Sequence, residues 1–553
     1  MKKYIVKSIM AAVALTAAGC ANFDEMNENP YAVYDAPAES FVQPMLYNTE
    51  YALVQRTYDL VAELVQYSVN RSTEITSQMN YNYSITESVV ASLWQNLYLQ
   101  AGNAEYMLET AEKESNPAMK GVAMVMKVLI MSNIADTYGN VPYFDAAKIA
   151  SHKGDISYTT TYDEQNLIYA DMLRLLEDAN RAFGEANELV SAGTLSTADF
   201  SPLCDYMYEG DVDKWRRFGN SLYLRLLMRV SLKVEEEGGL ISLGEEYGEM
   251  NVRNKIAELY DCFLSGSGDY PMMRGRSDAA LVGFSKYNSA LYTPFYSTTS
   301  GIWNSVVACN TLVDKMYDKA AGFEDPRLNF YFTKPMGAPT QWLKSDLDEF
   351  METNVSSLGN SLVGRYPRGI KVTGDYISDL QNADHYALMN YSELLFIFAE
   401  AGQRGWLNIA YPQVKQHYLR AVTEAVLEWH PYVTESSENV VKFIDTLSSE
   451  IDADNALDKI LTQKWISLFW VGIESWCDYR RTGYPLLKTN GPAAENNGIL
   501  PTRMRYPADE KYRNPNSYAD AVGGWLGGSN NMQTDVWWAS TAESRAMRLK
   551  GRQ

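Results

Sequence analysis

Cations, histidine and cysteine are what this 553-residue chain has least of. Lys and Arg number 48 against 69 Asp and Glu, a formal balance of −21. A polyanion is repelled by such a surface, which argues against nucleic-acid binding and against docking to anionic headgroups, both of which rely on clustered cations. The four histidines, His152, His385, His417 and His430, stand apart from one another, and no HExxH occurs. Cys204, Cys262, Cys309 and Cys477 show no CxxC spacing, so zinc and redox motifs are not expected; in an exported chain these thiols could form one or two disulfides or stay buried and free. There is no Gly-Lys pair for a phosphate-cradling loop and no GxSxG nucleophile elbow. Gly266-Ser267-Gly268 runs into Asp269-Tyr270-Pro271, a turn composition rather than a helix opening. Asp346, Asp348 and Glu349 lie close together without the twelve-residue calcium-loop pattern, which reads as a solvated acidic turn. No metal and no cofactor is expected.

Aromatic residues, by contrast, are plentiful and polar: 39 Tyr and 12 Trp against 17 Phe. Rings with a polar handle suit wet binding surfaces. The N-terminus is a second positive signal. Lys2, Lys3 and Lys7 precede a short apolar stretch from Ile9 to Ala18, and the small residues Ala17-Ala18-Gly19 stand immediately before Cys20. About ten apolar residues are too few to span a bilayer, for which ~20 are needed, so residues 1–19 read as a cleaved secretory signal. A cysteine directly after such a site resembles a bacterial lipobox, with Ala17 where Leu is more usual; lipidation of Cys20 with several acyl chains would anchor the chain stably. Residues 20–40, polar, acidic and punctuated by Pro30 and Pro37, read as a tether.

From residue 41 onward helical periodicity dominates. It marks Phe41–Val69, Glu87–Glu114, Met119–Tyr138, Tyr162–Phe183, Val212–Val234, Trp303–Tyr317, Asn390–Arg404, Tyr411–Trp429 and Leu457–Arg481 as helical, with strand-like alternation scarce. Short turns between partners suggest degenerate tetratricopeptide-like hairpins. Turn-rich stretches interrupt them at Ser72–Thr86, Ser191–Gly210, Ser265–Ser300, Thr333–Asp384 and from Lys488 onward. Structureless loops of that length inside a compact chain are functional or disordered, and their aromatics argue for function. The expected fold class is therefore mostly α-helical: helical hairpins carrying a large loop-rich region, as a single domain over residues 41–553.

Several blocks match one family in order along the chain. Ile134–Phe144 (IADTYGNVPYF) is similar to the TDxYGDxPY block of the SusD/RagB-like outer-membrane lipoproteins. Lys214–Ser231 (KWRRFGNSLYLRLLMRVS) resembles their KWxKFANSLxLRxAMR helix. Glu324–Leu328 (EDPRL) and Tyr391–Ala401 (YSELLFIFAEA) follow, and Gln463–Pro485 resembles QKWxALFxxGxExWxDxRRTGYP. Leu500–Asn514 and Thr534–Trp538 close the series. The resemblance implies a SusD-like fold at the cell surface, anchored to the outer membrane, that captures oligosaccharides without catalysis and hands them to a TonB-dependent SusC-like transporter. A peptide ligand, as for RagB-like members, is the alternative; a glycan-cleaving enzyme, which needs two acids facing each other across a bond, is the third reading.

In these blocks the residues themselves read mostly as structure. Trp465, Leu468, Phe469, Gly472, Ile473 and Trp476 follow helical spacing and make a buried face, and Arg480 and Arg481 sit where cations favour a helix C-terminus. Arg225 and Arg229, four apart, fit packing. Trp94 and Tyr98 lie on a periodic helix and read as core, with exposure of Trp94 as the alternative. The candidate ligand-binding residues are those that helical packing does not explain: Tyr81, Asn82 and Tyr83 in a polar loop; Tyr292, Phe295 and Tyr296 in a Ser/Thr-rich one; Trp303 just beyond it; and Trp342 in the loop after Pro339. Trp525, flanked by Gly523-Gly524 and Gly527-Gly528, ranks below them. Such rings stack on the apolar C–H faces of sugars while amides and carboxylates bond the hydroxyls.

Overall fold

The computed structural model describes residues 36–70, 80–146, 160–266, 268–285, 288–294, 306–359, 385–429 and 433–552. Cys20, Phe295, Tyr296 and Trp303 lie outside them. The main helices are α1 (Val42–Arg56), α2 (Glu87–Lys113), α3 (Pro117–Tyr138), α4 (Gln165–Ser191), α5 (Val212–Glu236), α6 (Val252–Ser265), α7 (Tyr391–Gln403), α8 (Tyr411–Trp429), α9 (Ala456–Ser467), α10 (Glu474–Thr482) and α11 (Ala542–Lys550). Neighbours in sequence pack as antiparallel partners: α2 on α3, α3 on α4, α4 on α5, and α7 on α8. The chain is mostly helical, as its periodicity implies.

α3 shows why the hairpins hold. Asn116 caps it by accepting from the Met119 amide at 3.1 Å, Pro117 occupies the first turn where its missing N–H costs nothing, and Gly139 stops it at φ 90°. It is apolar almost all round and buried along nearly its whole length, as befits the central helix of a stack. By length and composition it could cross a membrane, but its residues are covered by the rest of the fold.

A buried network of charges crosses the helix interfaces. Arg225 on α5 makes two bonds to Glu393 on α7, at 2.7 and 2.6 Å, and Arg229 one turn later pairs with Asp136 on α3 and Glu474 on α10. Arg480 donates to the Asp136 carbonyl at 2.6 Å and stacks 3.6 Å over Trp476. Arg481 makes two bonds to Glu400, and Lys464 reaches Asp478 at 3.0 Å. These arginines are fully or almost fully buried. Ionised groups inside a protein persist only when compensated; Arg225, Arg229 and Arg481 are ion-paired and hydrogen-bonded, and Arg480 is held by the Asp136 and Thr502 carbonyls and the Trp476 ring.

Several boundaries differ from expectation. The Phe41–Val69 helix breaks into α1, a π-helical turn at Thr57–Val61 and a short helix, and ends in a strand. Trp303–Tyr317 is not one helix: a strand at Val306–Ala308 precedes a helix at Asn310–Met316. Leu457–Arg481 splits into α9 and α10 because Trp470 (φ 65°) and Gly472 (φ 47°) take left-handed backbone between them. Asp346, Asp348 and Glu349 ride on a helix, Lys344–Asn354, not on a turn. α6 and the helix Glu438–Glu450 were not expected. The four cysteines after Cys20 are free thiols, with Cys309 and Cys477 buried, so no disulfide forms among them.

Four short strands position the loop-rich side: β1 (Ser68–Asn70), β2 (Ala280–Gly283), β3 (Val306–Ala308) and β4 (His385–Met389). β1 pairs antiparallel with β3, setting Asn70 opposite Val306, and β2 with β4, setting Gly283 opposite His385.

Candidate functional site

α1 and the π turn that follows it carry a stripe of tyrosines that the sequence reading passed over. Tyr47, Tyr51 and Tyr58 are spaced by four and seven residues, which at about 100° per residue places them on one face. All three are half-buried. Behind them the rings of Phe284, Tyr386 and Trp470 are buried and close a chain of contacts. Tyr51 meets Tyr47 at 5.8 Å, Tyr47 meets Phe284 at 5.4 Å, and Phe284 meets Tyr386 at 5.3 Å; Tyr386 and Trp470 stack at 6.1 Å, and Trp470 meets Tyr58 at 6.0 Å. The ledge is thus firm beneath and partly open above. The left-handed backbone at Trp470 puts its ring into this chain, and the Gly472 carbonyl beyond it accepts from Thr57 at 2.8 Å, tying the π turn to the α9–α10 break. Single π turns inside helices recur at functional sites.

Polar groups flank the rings. Asn48 is exposed, and Gln55 and Asp59 are half-buried; Asp59 pairs with Arg56 at 3.0 Å. Two deeper acids belong to the same segment. Burial pushes the Glu63 carboxyl well above the ordinary range, although the Tyr81 amide donates to it at 3.0 Å. Glu50 is fully buried, neither carboxylate oxygen has a hydrogen-bond partner, and desolvation pushes its pKa up to about 8 against the opposing pull of Arg225. Glu50 is therefore largely neutral at pH 7.

The ledge borders the ribbon ends. Tyr47 donates to the Tyr292 carbonyl at 2.7 Å, and Tyr292 is itself half-buried. β1 ends at Asn70 and β3 begins opposite it at Val306; Gly283 ends β2 and His385 begins β4 opposite it. Segments 71–79, 286–287, 295–305 and 360–384, which lie outside the described residues, join the chain at or close beyond these ends.

The predicted residues do not all sit in the open. Tyr81, Asn82 and Tyr83 are buried rather than displayed on a loop surface. Tyr81 belongs to a small satellite core with Val69, Val307 and Leu347, against which Trp342 packs half-buried, meeting Phe350 edge-on at 5.7 Å. Asn82 donates to the Trp342 carbonyl at 3.0 Å, Thr340 donates to the Tyr81 carbonyl at 3.1 Å, and Gln341 donates to the Tyr83 hydroxyl at 2.7 Å. The structure thus brings Tyr81, Asn82, Tyr83 and Trp342 into one module and puts Tyr292 apart from it, in the loop after β2 where Tyr47 bonds its carbonyl. The rings at 81 and 83 are buried because the turn folds inward over the acidic end of the first helical segment, which local composition does not reveal. Trp94 is buried among Tyr98, Tyr138 and Tyr506, a core position. Trp525 is half-buried against Gly139, where any Cβ would collide with its ring, and donates to the Tyr506 hydroxyl at 3.1 Å. The tyrosine stripe was legible in the spacing of 47, 51 and 58, but a helix with Tyr on one face reads equally as core.

A family model described as "SusD-like_2: Starch-binding associating with outer membrane" matches residues 30–507. No curated protein matches the chain. Among solved structures, a chitin-binding SusD homolog from Flavobacterium johnsoniae superposes with a TM-score of 0.67 at 21% identity, covering 92% of this chain and 99% of that one. SusD homologs from Bacteroides fragilis and Bacteroides uniformis, at 18% and 22% identity, each give a TM-score of 0.68 and cover 92% of this chain and 100% of theirs. At such identities the likeness is one of fold.

Proposed function

The chain belongs to the SusD-like family, and on that premise we propose that it is a cell-surface lipoprotein that captures neutral oligosaccharides and passes them to a TonB-dependent SusC-like transporter. The observation that carries the ligand class is the ledge of half-buried tyrosines beside the ribbon ends. Tyrosine rings offer apolar faces to sugar C–H groups, and the amides and hydroxyls around them bond sugar hydroxyls without needing charge. Glu50, neutral at pH 7, adds no net charge to the segment that carries the ledge, which suits an uncharged ligand. The family model's starch-binding description and the chitin-binding neighbour support a glycan over a peptide. In this reading residues 1–19 are cleaved, Cys20 is lipidated, residues 20–40 are the tether and 41–553 fold as one binding unit without catalytic activity. The ledge and Tyr292 form the ligand mouth in this reading, with Trp342 and, outside the described residues, Tyr296 and Trp303 as the further ligand-binding candidates.

Calorimetric titration of the purified protein with maltooligosaccharides, chitooligosaccharides and a mixed peptide library tests it. Saturable binding of a sugar that leaves its chain length unchanged is the expected result. Binding of peptides alone, or release of shortened products, would overturn the reading. Crosslinking in isolated outer membranes should recover a large β-barrel transporter; its reproducible absence would count against the delivery role.

A further inference from the structure

A cavity of about 220 Å³ lies between α10 and α11, well removed in sequence from the tyrosine ledge. Its floor is apolar: the buried Tyr479 and Leu500 line it, and Leu549, more than half exposed, stands at its edge. Its charge is opposite to that of the chain. Arg545, Arg548 and Arg552 line it against a single carboxylate, Asp535. Asp535 is already saturated, with one oxygen accepting from Arg545 Nε at 2.7 Å and the other from Arg548 Nη1 at 2.8 Å. Arg548 is spent as well, since its remaining nitrogens donate to the Ser544 and Ala539 carbonyls. Arg552 donates from one Nη to the Asn497 carbonyl at 2.9 Å. The guanidinium faces of Arg545 and Arg552 are what the cavity presents to a ligand, above an apolar floor.

We propose that this cavity binds a small monocarboxylate with an apolar body, the carboxylate held by Arg545 and Arg552 and the hydrocarbon lying over Tyr479, Leu500 and Leu549. Guanidinium is the side chain best matched to a carboxylate, because its fork gives two parallel N–H bonds. Three guanidiniums around one carboxylate leave a local positive excess in a chain of −21, which favours an anion. Thr489, Thr502 and Gln533 also border the cavity, but the lining is mainly apolar, so a purely polar anion would lose water for few partners. The volume admits a body of roughly eight to ten heavy atoms, below the usual range for drug-sized ligands. The site is independent of the glycan-capture reading.

The test uses the purified protein in detergent-free buffer, with octanoate as probe and octanol and glucuronate as controls for charge alone removed and apolar body alone removed. Octanoate should bind one to one and at least tenfold more tightly than either control. Arg545→Gln and Arg552→Gln, made singly at positions that are not deeply buried, should each weaken octanoate about tenfold and leave glycan binding unchanged. The proposal is overturned if octanoate fails to bind at millimolar concentration, if octanol or glucuronate binds as well, or if both substitutions leave octanoate affinity intact.

Discussion

Gln341 donates from its side-chain amide to the hydroxyl of Tyr83 at 2.7 Å, and both residues hold left-handed backbone, at φ 61° and φ 68°. Two non-glycine residues in that region, facing each other, are a clasp maintained against local strain. It fixes the 80–83 turn against the 340–342 segment and so orients Trp342. Tyr83→Phe keeps the ring and removes the acceptor; the Gln341 amide retains its bond to the Lys488 carbonyl at 3.0 Å. The expected loss is about 1 kcal/mol, read as a lower urea midpoint. Tyr83→Ala, which empties a buried ring site, should cost about 3–5 kcal/mol. Equal stability of Phe and Ala variants would mean the ring is not packed as described.

At the tyrosine ledge, substitution should separate affinity from stability. Tyr51 and Tyr58 are half-buried, so Ala at either removes a stacking face worth roughly 1 kcal/mol, a several-fold weaker glycan affinity. Tyr51→Phe should bind nearly as well as wild type if stacking dominates. Titration of each variant with the tightest oligosaccharide decides it, and unchanged affinity in the double Ala variant would remove the ledge from the ligand mouth.

How much of this was legible beforehand follows from what each signal encodes. Helix α8 was read with its observed ends, Tyr411 and Trp429, because its apolar face repeats regularly. α9 and α10 were read as one helix because the break depends on left-handed backbone at Trp470, which no periodicity reports. Arg225 and Arg229 were read as packing groups, and Arg480 and Arg481 as cations favoured near a helix C-terminus and able to pair with carboxylates. They do pack, but as members of a buried ion network whose acids, Asp136, Glu393, Glu400 and Glu474, come from three helices, α3, α7 and α10, far apart in sequence. Aromatics in loops were read as displayed; Tyr81 and Tyr83 instead fill cores, since loop composition says nothing about which way a turn folds.

That network gives a stability test. Arg229 is buried and pairs with both Asp136 and Glu474. Arg229→Ala would strand two carboxylates in the interior, and breaking a buried pair by removing one partner costs about 3–5 kcal/mol. Asp136→Asn, which still accepts from Trp538 Nε1 at the oxygen it now bonds at 2.8 Å, should cost less. Thermal unfolding of the two variants should rank them in that order, and the reverse order would show that Asp136 has the more critical contacts.

In the proposed reading, membrane attachment rests on the Cys20 thiol. Cys20→Ala should either release soluble protein or leave an uncleaved precursor, because acylation needs the sulfur and signal cleavage follows it. Fractionation of cells expressing each form, with immunoblotting of membrane and soluble pools, reads the outcome. An unchanged membrane pool at the mature size would rule out the lipid anchor.

Glu50 predicts how stability depends on pH. Desolvation keeps its carboxyl protonated in the folded protein up to about pH 8, against an ordinary value of 4.5. Between those values the unfolded chain releases this proton while the folded chain retains it, so stability falls as pH rises, by about 1.4 kcal/mol per pH unit from this group. The decline ends above pH 8, where both states are ionised and the folded protein carries a buried carboxylate. Glu50→Gln cannot ionise and escapes the decline, so its stability relative to wild type should be lowest near pH 5, climb through pH 6 and 7, and level off above 8. Urea midpoints of the two proteins at pH 5, 6, 7, 8 and 9 measure the difference. A constant offset across that range would mean that Glu50 titrates normally and is reached by water.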